Sequence, residues 1–477
     1  MESFLSFRDP SGGLFKIDDR LFRLITDKGF EETKDIFNSE ILKQLEKQNK
    51  FISAKQLKLD EVQKLLSQKI SDNLEIKMVL EHEKLFFPSY PYEWSSFMLY
   101  DAAKLTLEIA SKLLEEGRGI KDATPYNILF SGPNPIFIDF TSIEKRNLLD
   151  PIWLAYSQFM RMFLLPLLLN KYKKMPLSDI FINRLDGIDI EETKNYLGWN
   201  KLFSLKALSL VYIPYLLSKK KNRESYYKKH LLKNKDISKF ILKSLYNRAC
   251  KTLKKLSPQK PKKSVWMDYM DTKSHYSDDL FSLKQQFVLD VLEKIKPKTV
   301  LDIGCNTGHF SVLSADKGAK VVALDYDRAS IDLLYLRAKK ENKDILPLVA
   351  NICRPTPSIG WNNQECVSLL KRSEKKFDLV LMLAVIHHMI VSERIPLSEI
   401  ASIISKITKR YLILEFVKKE DMMFKVLVRG RDHLYEHINL DNFKKIFSRY
   451  FKIKIERPLQ NSNRVMFLLE KINNVSF

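Results

Sequence analysis

Asp302, Gly304, Asn306 and Gly308 stand at alternate positions, and Asp325 follows further along the chain. Glycines let a backbone approach a ligand closely, the start of a helix offers unbonded N–H groups, and a carboxylate closing a strand can accept from both hydroxyls of a ribose. Together these groups suit a nucleoside. The elements that must position them can be read around them. Thr299–Ile303 is an unbroken apolar run suited to a buried strand, a helix is expected from about His309 to Lys317, and Val321–Leu324 is a second apolar run closed by Asp325. The whole is a βαβ unit of roughly 30 residues.

Which nucleoside is decided by the glycines. A dinucleotide fingerprint starting at Gly304 would need glycine at 306 and 309, where the sequence has Asn306 and His309. Asp302-x-Gly304-x-Asn306-x-Gly308 instead resembles motif I of the class I S-adenosylmethionine-dependent methyltransferases, with asparagine, a residue tolerant of left-handed backbone, in place of the middle glycine. Later stretches resemble the same family in order: Leu346–Ile352 as strand three, Phe377–Met389 as strand four and its loop, Tyr411–Val417 as strand five, and Phe451–Ile472 as the terminal antiparallel pair. The resemblance implies an α/β fold with a Rossmann-like, seven-stranded methyltransferase sheet. It also implies S-adenosyl-L-methionine as cofactor, with Asp302, Gly304, Asn306 and Gly308 around its methionine end, Asp325 on the ribose and Asn351 reaching the adenine.

Methyl transfer to a hydroxyl requires an in-line arrangement and removal of a proton. His387 and His388 follow strand four, where the family places acceptor-facing residues, and an imidazole of ordinary pKa near 6.5 suits proton removal at neutral pH. The competing reading packs one of them beneath the sheet and leaves the other solvated. Glu415 on strand five is a further catalytic candidate, upstream of the charged stretch Arg429–His437, which suits either a polyhydroxylated or anionic acceptor or a surface ion-pair cluster. Trp266, Tyr269 and Tyr276, ahead of the first strand, are candidates to cover the cofactor or to pack.

A second constellation lies near the start of the chain. Asp122, Asn127 and Asp139 occur as D-x(4)-N followed by an apolar strand and an aspartate. This resembles the catalytic loop and metal-binding segment of protein-kinase-like phosphotransferases, the aminoglycoside-phosphotransferase type above all. The resemblance implies a mostly helical α+β domain in which Asp122 accepts the proton of the substrate hydroxyl while Asn127 and Asp139 hold Mg²⁺ on the phosphates of ATP. No glycine-rich phosphate loop accompanies it, and Lys16 and Lys77 are the candidates for the strand lysine. An active kinase, a kinase-like fold without phosphotransfer, and a chance similarity all remain open at this point.

Organisation follows from composition. At 477 residues, 45% hydrophobic and 29% charged, the chain has the length and makeup of a two- or three-domain globular protein. A kinase-like domain is expected over 1–256, a basic linker over 257–264 and the methyltransferase over 265–477. The opening residues lack a signal-peptide pattern, so a cytoplasmic location, peripheral to a membrane or not, is expected. The four cysteines contain no CxxC pair, which argues against a zinc site or a disulfide scaffold. Ile152–Leu169 is the most apolar run, but Arg161 and Pro166 interrupt it, and a buried helix is expected there rather than a span.

The net charge of +22 is concentrated: residues 219–263 hold 17 basic against 2 acidic side chains. RNA or an anionic membrane surface could be met by that segment, or it could be a solvated helix and linker. The whole arrangement resembles bacterial methyltransferases of polysaccharide and nodulation-type contexts and, with the domain order reversed, kinase/methyltransferases that cap O-antigen chains. O-methylation of a small molecule or saccharide is therefore the first expectation. An RNA methyltransferase is the enzymatic alternative, and a non-catalytic nucleotide-sensing scaffold the other.

Overall fold

A computed structural model of the chain describes residues 12–17, 19–58, 76–198, 207–218, 231–261 and 278–472. Trp266, Tyr269 and Tyr276, and most of the basic stretch before residue 231, lie outside the described residues. The chain divides into two units: Met1–Gln259 with Ile359–Cys366, and Lys260–Ser358 with Val367–Phe477. The eight-residue excursion Ile359–Cys366 carries no signal in the sequence.

The first unit begins with four antiparallel strands, β1 (Gly12–Ile17), β2 (Arg20–Thr26), β3 (Ala54–Leu57) and β4 (Ile76–His82), in the order β1-β2-β4-β3. Alternation sends Phe15, Ile17, Phe22, Leu24 and Val79 to one face and Ile25, Met78 and Leu80 to the other. β1 and β2 form a hairpin that turns near Asp19, whose φ is 68°. Gly12 belongs to the strand, where a Cβ would come within 2.0 Å of the Leu24 carbonyl oxygen. Two helices, Asp27–Phe37 and Glu40–Lys47, lie between β2 and β3. Ser39 restarts the helix by accepting from the Leu42 N–H.

A long helix, Ser96–Leu113, is capped by Ser95 and stops through Gly117 at φ 70°. Four short strands follow: β5 (Arg118–Ile120), β6 (Ile128–Ser131), β7 (Asn134–Phe137) and β8 (Ile143–Lys145). β6 pairs with β7 and β5 with β8. The described residues that follow are mostly helical, and in the apolar run Phe163, Leu164, Leu165, Leu168 and Leu169 are fully buried. Among the described residues no helix is long and apolar enough to cross a membrane. A small sheet before a mostly helical region, with Asp122 and Asn127 in a loop and Asp139 at a strand end, is a kinase-like order.

The second unit is built on seven strands: β9 (Thr299–Ile303), β10 (Lys320–Asp325), β11 (Ile345–Val349), β12 (Phe377–Met382), β13 (Thr408–Val417), β14 (Phe451–Pro458) and β15 (Arg464–Lys471). Their order is β11-β10-β9-β12-β13-β15-β14. The first five run parallel, and β15 runs antiparallel to both its neighbours. Parallel strands covered on both faces read as continuous apolar runs, as these do. The helix Asp278–Ile295 lays Phe287, Val288, Val291 and Leu292 into the same core as Val300, Leu379, Leu381 and Met466. The chain leaves β9 toward β10 on one side and returns as β12 on the other. Strand order therefore reverses at β9, and a crevice opens beyond the carboxyl ends of β9 and β12.

Candidate functional site

That crevice is a cavity of about 540 Å³, within the range of cofactor pockets. Asp302, Gly304, Asn306, Asp325, Asn351 and His388 all line it, so most of the residues singled out in the sequence share one space. Gly308, His387 and Glu415 do not line it.

The turn after β9 is held from below. The N–H groups of Gly304 and Cys305 both donate to the Leu324 carbonyl, at 2.8 and 3.0 Å, so the turn cannot lift away from β10. Gly304 has φ 71°, and a Cβ there would stand 2.5 Å from Val385 Cγ2. Asn306 takes the left-handed conformation, φ 51°, that its side-chain type tolerates, and its Oδ1 accepts from Thr307 N–H at 2.6 Å. Gly308, φ 80°, begins the helix His309–Asp316, and its Cβ would meet Leu334 Cδ1 at 2.2 Å. A glycine here lets that helix seat against Leu334, at the end of the turn expected to shape the methionine end of the pocket.

Asp325 is aimed by backbone. Its Oδ2 accepts from Asn306 N–H at 2.8 Å and its Oδ1 from Asp327 N–H at 2.9 Å, and the Tyr326 N–H also supports the carboxylate. A carboxylate oxygen has capacity for a second bond, so this group fits a pair of vicinal hydroxyls. Burial raises its pKa. Asp302 is deeper: Ser311 Oγ donates to its Oδ2 at 2.6 Å, and burial, with the nearby Asp325 charge adding to it, pushes its carboxyl up to about 6 despite that bond. Asn351 spends Oδ1 on the Cys353 N–H, 2.8 Å away, an Asx-type turn at the cavity wall.

The two histidines part company. His388 lines the cavity, and burial, then the Arg464 charge, lowers its pKa, keeping it neutral and able to accept a proton at pH 7. His387 is buried beside it, ring centroids 4.3 Å apart, and burial holds its pKa well below the ordinary value. It is a packing residue by position, correcting its candidacy as a base.

Glu415 is corrected more sharply. Its side chain is 0% exposed and paired on both oxygens, with Lys284 Nζ at 2.6 Å and Arg464 at 3.0 Å. Burial works against its charge, yet the two cations win and hold it well below the usual carboxylate range. A carboxylate so held does not serve as a base. Arg464 also reaches Asp421, at 2.9 Å, completing a buried network. The charged stretch Arg429–His437 is exposed and sends no residue to the cavity.

Sequence reasoning missed Lys284, which lines the cavity with its ammonium 5.2 Å from the centre of the Phe310 ring. A signal was present. In the helix Asp278–Ile295 the buried positions are Leu280, Lys284, Phe287, Val288, Val291 and Leu292, so a lysine sits on the apolar stripe.

In the first unit Asn127 Nδ2 donates to the Asp122 carbonyl at 3.1 Å and to Ser142 Oγ at 2.6 Å, so the loop and the strand end do come together. Asp139, however, is already satisfied. Oδ1 accepts from Thr141 N–H and Thr141 Oγ1 and pairs with the Arg23 guanidinium at 3.1 Å, while Oδ2 accepts from Ser142 Oγ at 2.5 Å. Burial favours its neutral form, but Arg23 and these bonds outweigh it and keep the pKa lowered. A guanidinium supplies the positive charge that a divalent ion would bring, and the side chains as arranged do not fit Mg²⁺. No cluster of metal-ligating side chains occurs among the described residues.

Sheet order, glycine turn and strand-end carboxylate define the second unit as a class I methyltransferase domain, and the protein as an S-adenosylmethionine-dependent methyltransferase. Comparison with known proteins agrees: residues 274–452 match the family model described as a methyltransferase domain. Over 98% of its length the chain is 28% identical to the nodulation protein NoeA of Rhizobium meliloti (strain 1021), covering 95% of that protein. It is also 30% identical over 133 residues, 27% of this chain and 16% of the relative, to the O-antigen chain terminator bifunctional methyltransferase/kinase WbdD of Escherichia coli. Among solved structures, magnesium protoporphyrin IX methyltransferase from Synechocystis PCC 6803 aligns with 17% identity and a TM-score of 0.30, over 43% of this chain and 94% of that one.

Proposed function

We propose that this enzyme methylates a hydroxyl of a saccharide or other polyhydroxylated small molecule. The observation that carries the reading is the convergence of Asp325, Asn351, Lys284 and His388 on one cavity. Bound S-adenosylmethionine supplies an electrophilic methyl group on a sulfonium. The chain's residues do the rest. Asp325 accepts from the ribose hydroxyls, Asn351 meets the adenine, and Lys284, held by Glu415, complements the cofactor's carboxylate. Asp302 and the turn at Gly304 and Asn306 shape the methionine end. His388, kept neutral by burial, takes the acceptor's proton as the new bond forms. Likeness to an O-antigen chain terminator supports a saccharide acceptor.

For the first unit we propose a kinase-like fold that does not transfer phosphate, because Arg23 neutralises Asp139. ATP titrated into the full chain with and without magnesium should show no magnesium-dependent binding.

The test of methyl transfer has two arms. Calorimetric titration should give S-adenosylmethionine binding that Asp325→Ala weakens, and methyl-labelled cofactor should mark a saccharide fraction of cell extract in a reaction that His388→Ala slows. Label appearing in RNA instead would overturn the acceptor class, and absence of cofactor binding would overturn the reading altogether.

A further inference from the structure

The helix Lys235–Lys255 in the first unit turns Ser238, Leu242, Tyr246, Ala249 and Leu253 inward, the spacing of a single buried stripe. On the opposite side Phe240 is 70% exposed and Ile237 53%, with Ile241 beside them. Continuing along that outward side come Arg248, Lys251 and Lys255, all exposed. The helix holds seven basic residues and one acidic one. Lys239 and Lys243 both pair with Glu115, at 3.0 and 2.7 Å, and flank the apolar group.

The loop after β8 also exposes apolar residues. Leu232 N–H donates to the Leu149 carbonyl at 2.9 Å, which fastens the stretch before the helix to the loop after β8. In that loop Trp153 is driven inward: its ring meets Tyr246 edge-on at 5.0 Å and its Nε1 donates to the Ile120 carbonyl at 2.9 Å. With Trp153 so fixed, its neighbours Ile152 and Leu154 are left facing water, Leu154 at 75% exposure, and Leu148 is exposed as well.

Single exposed apolar residues are ordinary, but Ile237, Phe240 and Ile241 clustered on one side of one helix, with basic residues further along that side, mark an interaction surface. The charge around it selects the partner. We propose that this face seats the protein on an anionic lipid surface, with Phe240, Ile237 and Ile241 entering the interface and the basic residues of the same helix meeting the headgroups. Exposed hydrocarbon beside lysine is the pattern of an interfacial helix, whose apolar side chains sink to the acyl boundary while ammonium groups stay at headgroup level. RNA fits less well. Single-stranded nucleic acid is held by aromatic platforms, and the apolar residues here are mostly aliphatic. The proposal is independent of the methyl acceptor.

The test is flotation of the full chain with vesicles of phosphatidylcholine alone and of phosphatidylcholine mixed equally with phosphatidylglycerol. Binding to the anionic vesicles is expected at about tenfold or more over the neutral ones, falling with salt. The double substitution Ile237→Ser with Phe240→Ser, and separately Lys251→Glu with Lys255→Glu, should each cut it about tenfold or more. All four sites are exposed, so unchanged melting profiles should accompany both losses. Equal binding to the two vesicle types, or none to either, overturns the proposal. So does loss through the lysines alone with RNA displacing the vesicles, which marks a polyanion site, and so does a wild-type dimer that the serine variant dissociates, which marks contact between copies of this chain.

Discussion

The backbone N–H of Asn306 donates to the carboxylate of Asp325 across 2.8 Å, tying the turn after β9 to the end of β10. The bond aims one oxygen of Asp325 and braces the left-handed residue that forms the cavity floor. Loop and carboxylate thus act as one piece.

Substituting Asp325 should show this coupling. Asp325→Ala removes the proposed ribose acceptor and leaves the backbone N–H groups around it without their partner. Affinity for S-adenosylmethionine is expected to fall about 10- to 100-fold, or about 1.4–2.8 kcal/mol. Asp325→Asn, which keeps one oxygen acceptor, should fall between. Calorimetric titration measures both, and an alanine variant that binds as wild type would remove the ribose role.

The two glycines should fail differently. Gly304→Ala forces a non-glycine residue to φ 71° with Val385 Cγ2 2.5 Å from its Cβ in the cavity wall, so cofactor binding should be lost along with stability. Gly308→Ala forces a non-glycine residue to φ 80° with Leu334 2.2 Å from its Cβ, and should destabilise the methyltransferase unit by about 2–4 kcal/mol. Denaturant melts followed beside cofactor titrations separate the two outcomes.

Asp302 carries a pH signature. Its carboxyl holds its proton up to about 6 in the folded protein against an ordinary 3.8, so the folded state binds more protons than the unfolded chain between those values. Stability contributed by this group therefore declines as pH rises through that window and is level above it. Asp302→Asn, which keeps a partner for Ser311, should differ least from wild type near pH 4 and gain on it up to about pH 6, by on the order of 2–3 kcal/mol. Melts at a series of pH values test this; a difference that stays flat with pH would contradict it.

Glu415 should prove structural. Glu415→Gln leaves Lys284 and Arg464 buried with less than their full counter-charge and is expected to cost about 3–5 kcal/mol. Pairing it with Lys284→Met should cost less than the sum of the single changes, since each removes a charge the other needed. Additive losses in a double-mutant cycle would show that the ion pair is not coupled.

Local pattern made most of the second unit legible. Unbroken apolar runs of strand length, an intervening helix, and glycine or asparagine where the backbone must turn left-handed are properties of neighbouring residues, so Gly304, Asn306 and Asp325 could be read directly. What a side chain meets across the fold could not. Glu415, His387 and His388 look alike as candidates in a linear string, yet burial beside two cations closed the first, packing closed the second, and only His388 reached the cavity. Lys284 was hidden for the same reason, since its partner Glu415 lies far along the chain. In the first unit the spacing of Asp122, Asn127 and Asp139 was plain, while the pairing of Arg23 with Asp139 joins a residue of β2 to one in the turn after β7. Periodicity and turn chemistry are written locally; the charge state of a buried group depends on whichever distant residue the fold brings against it.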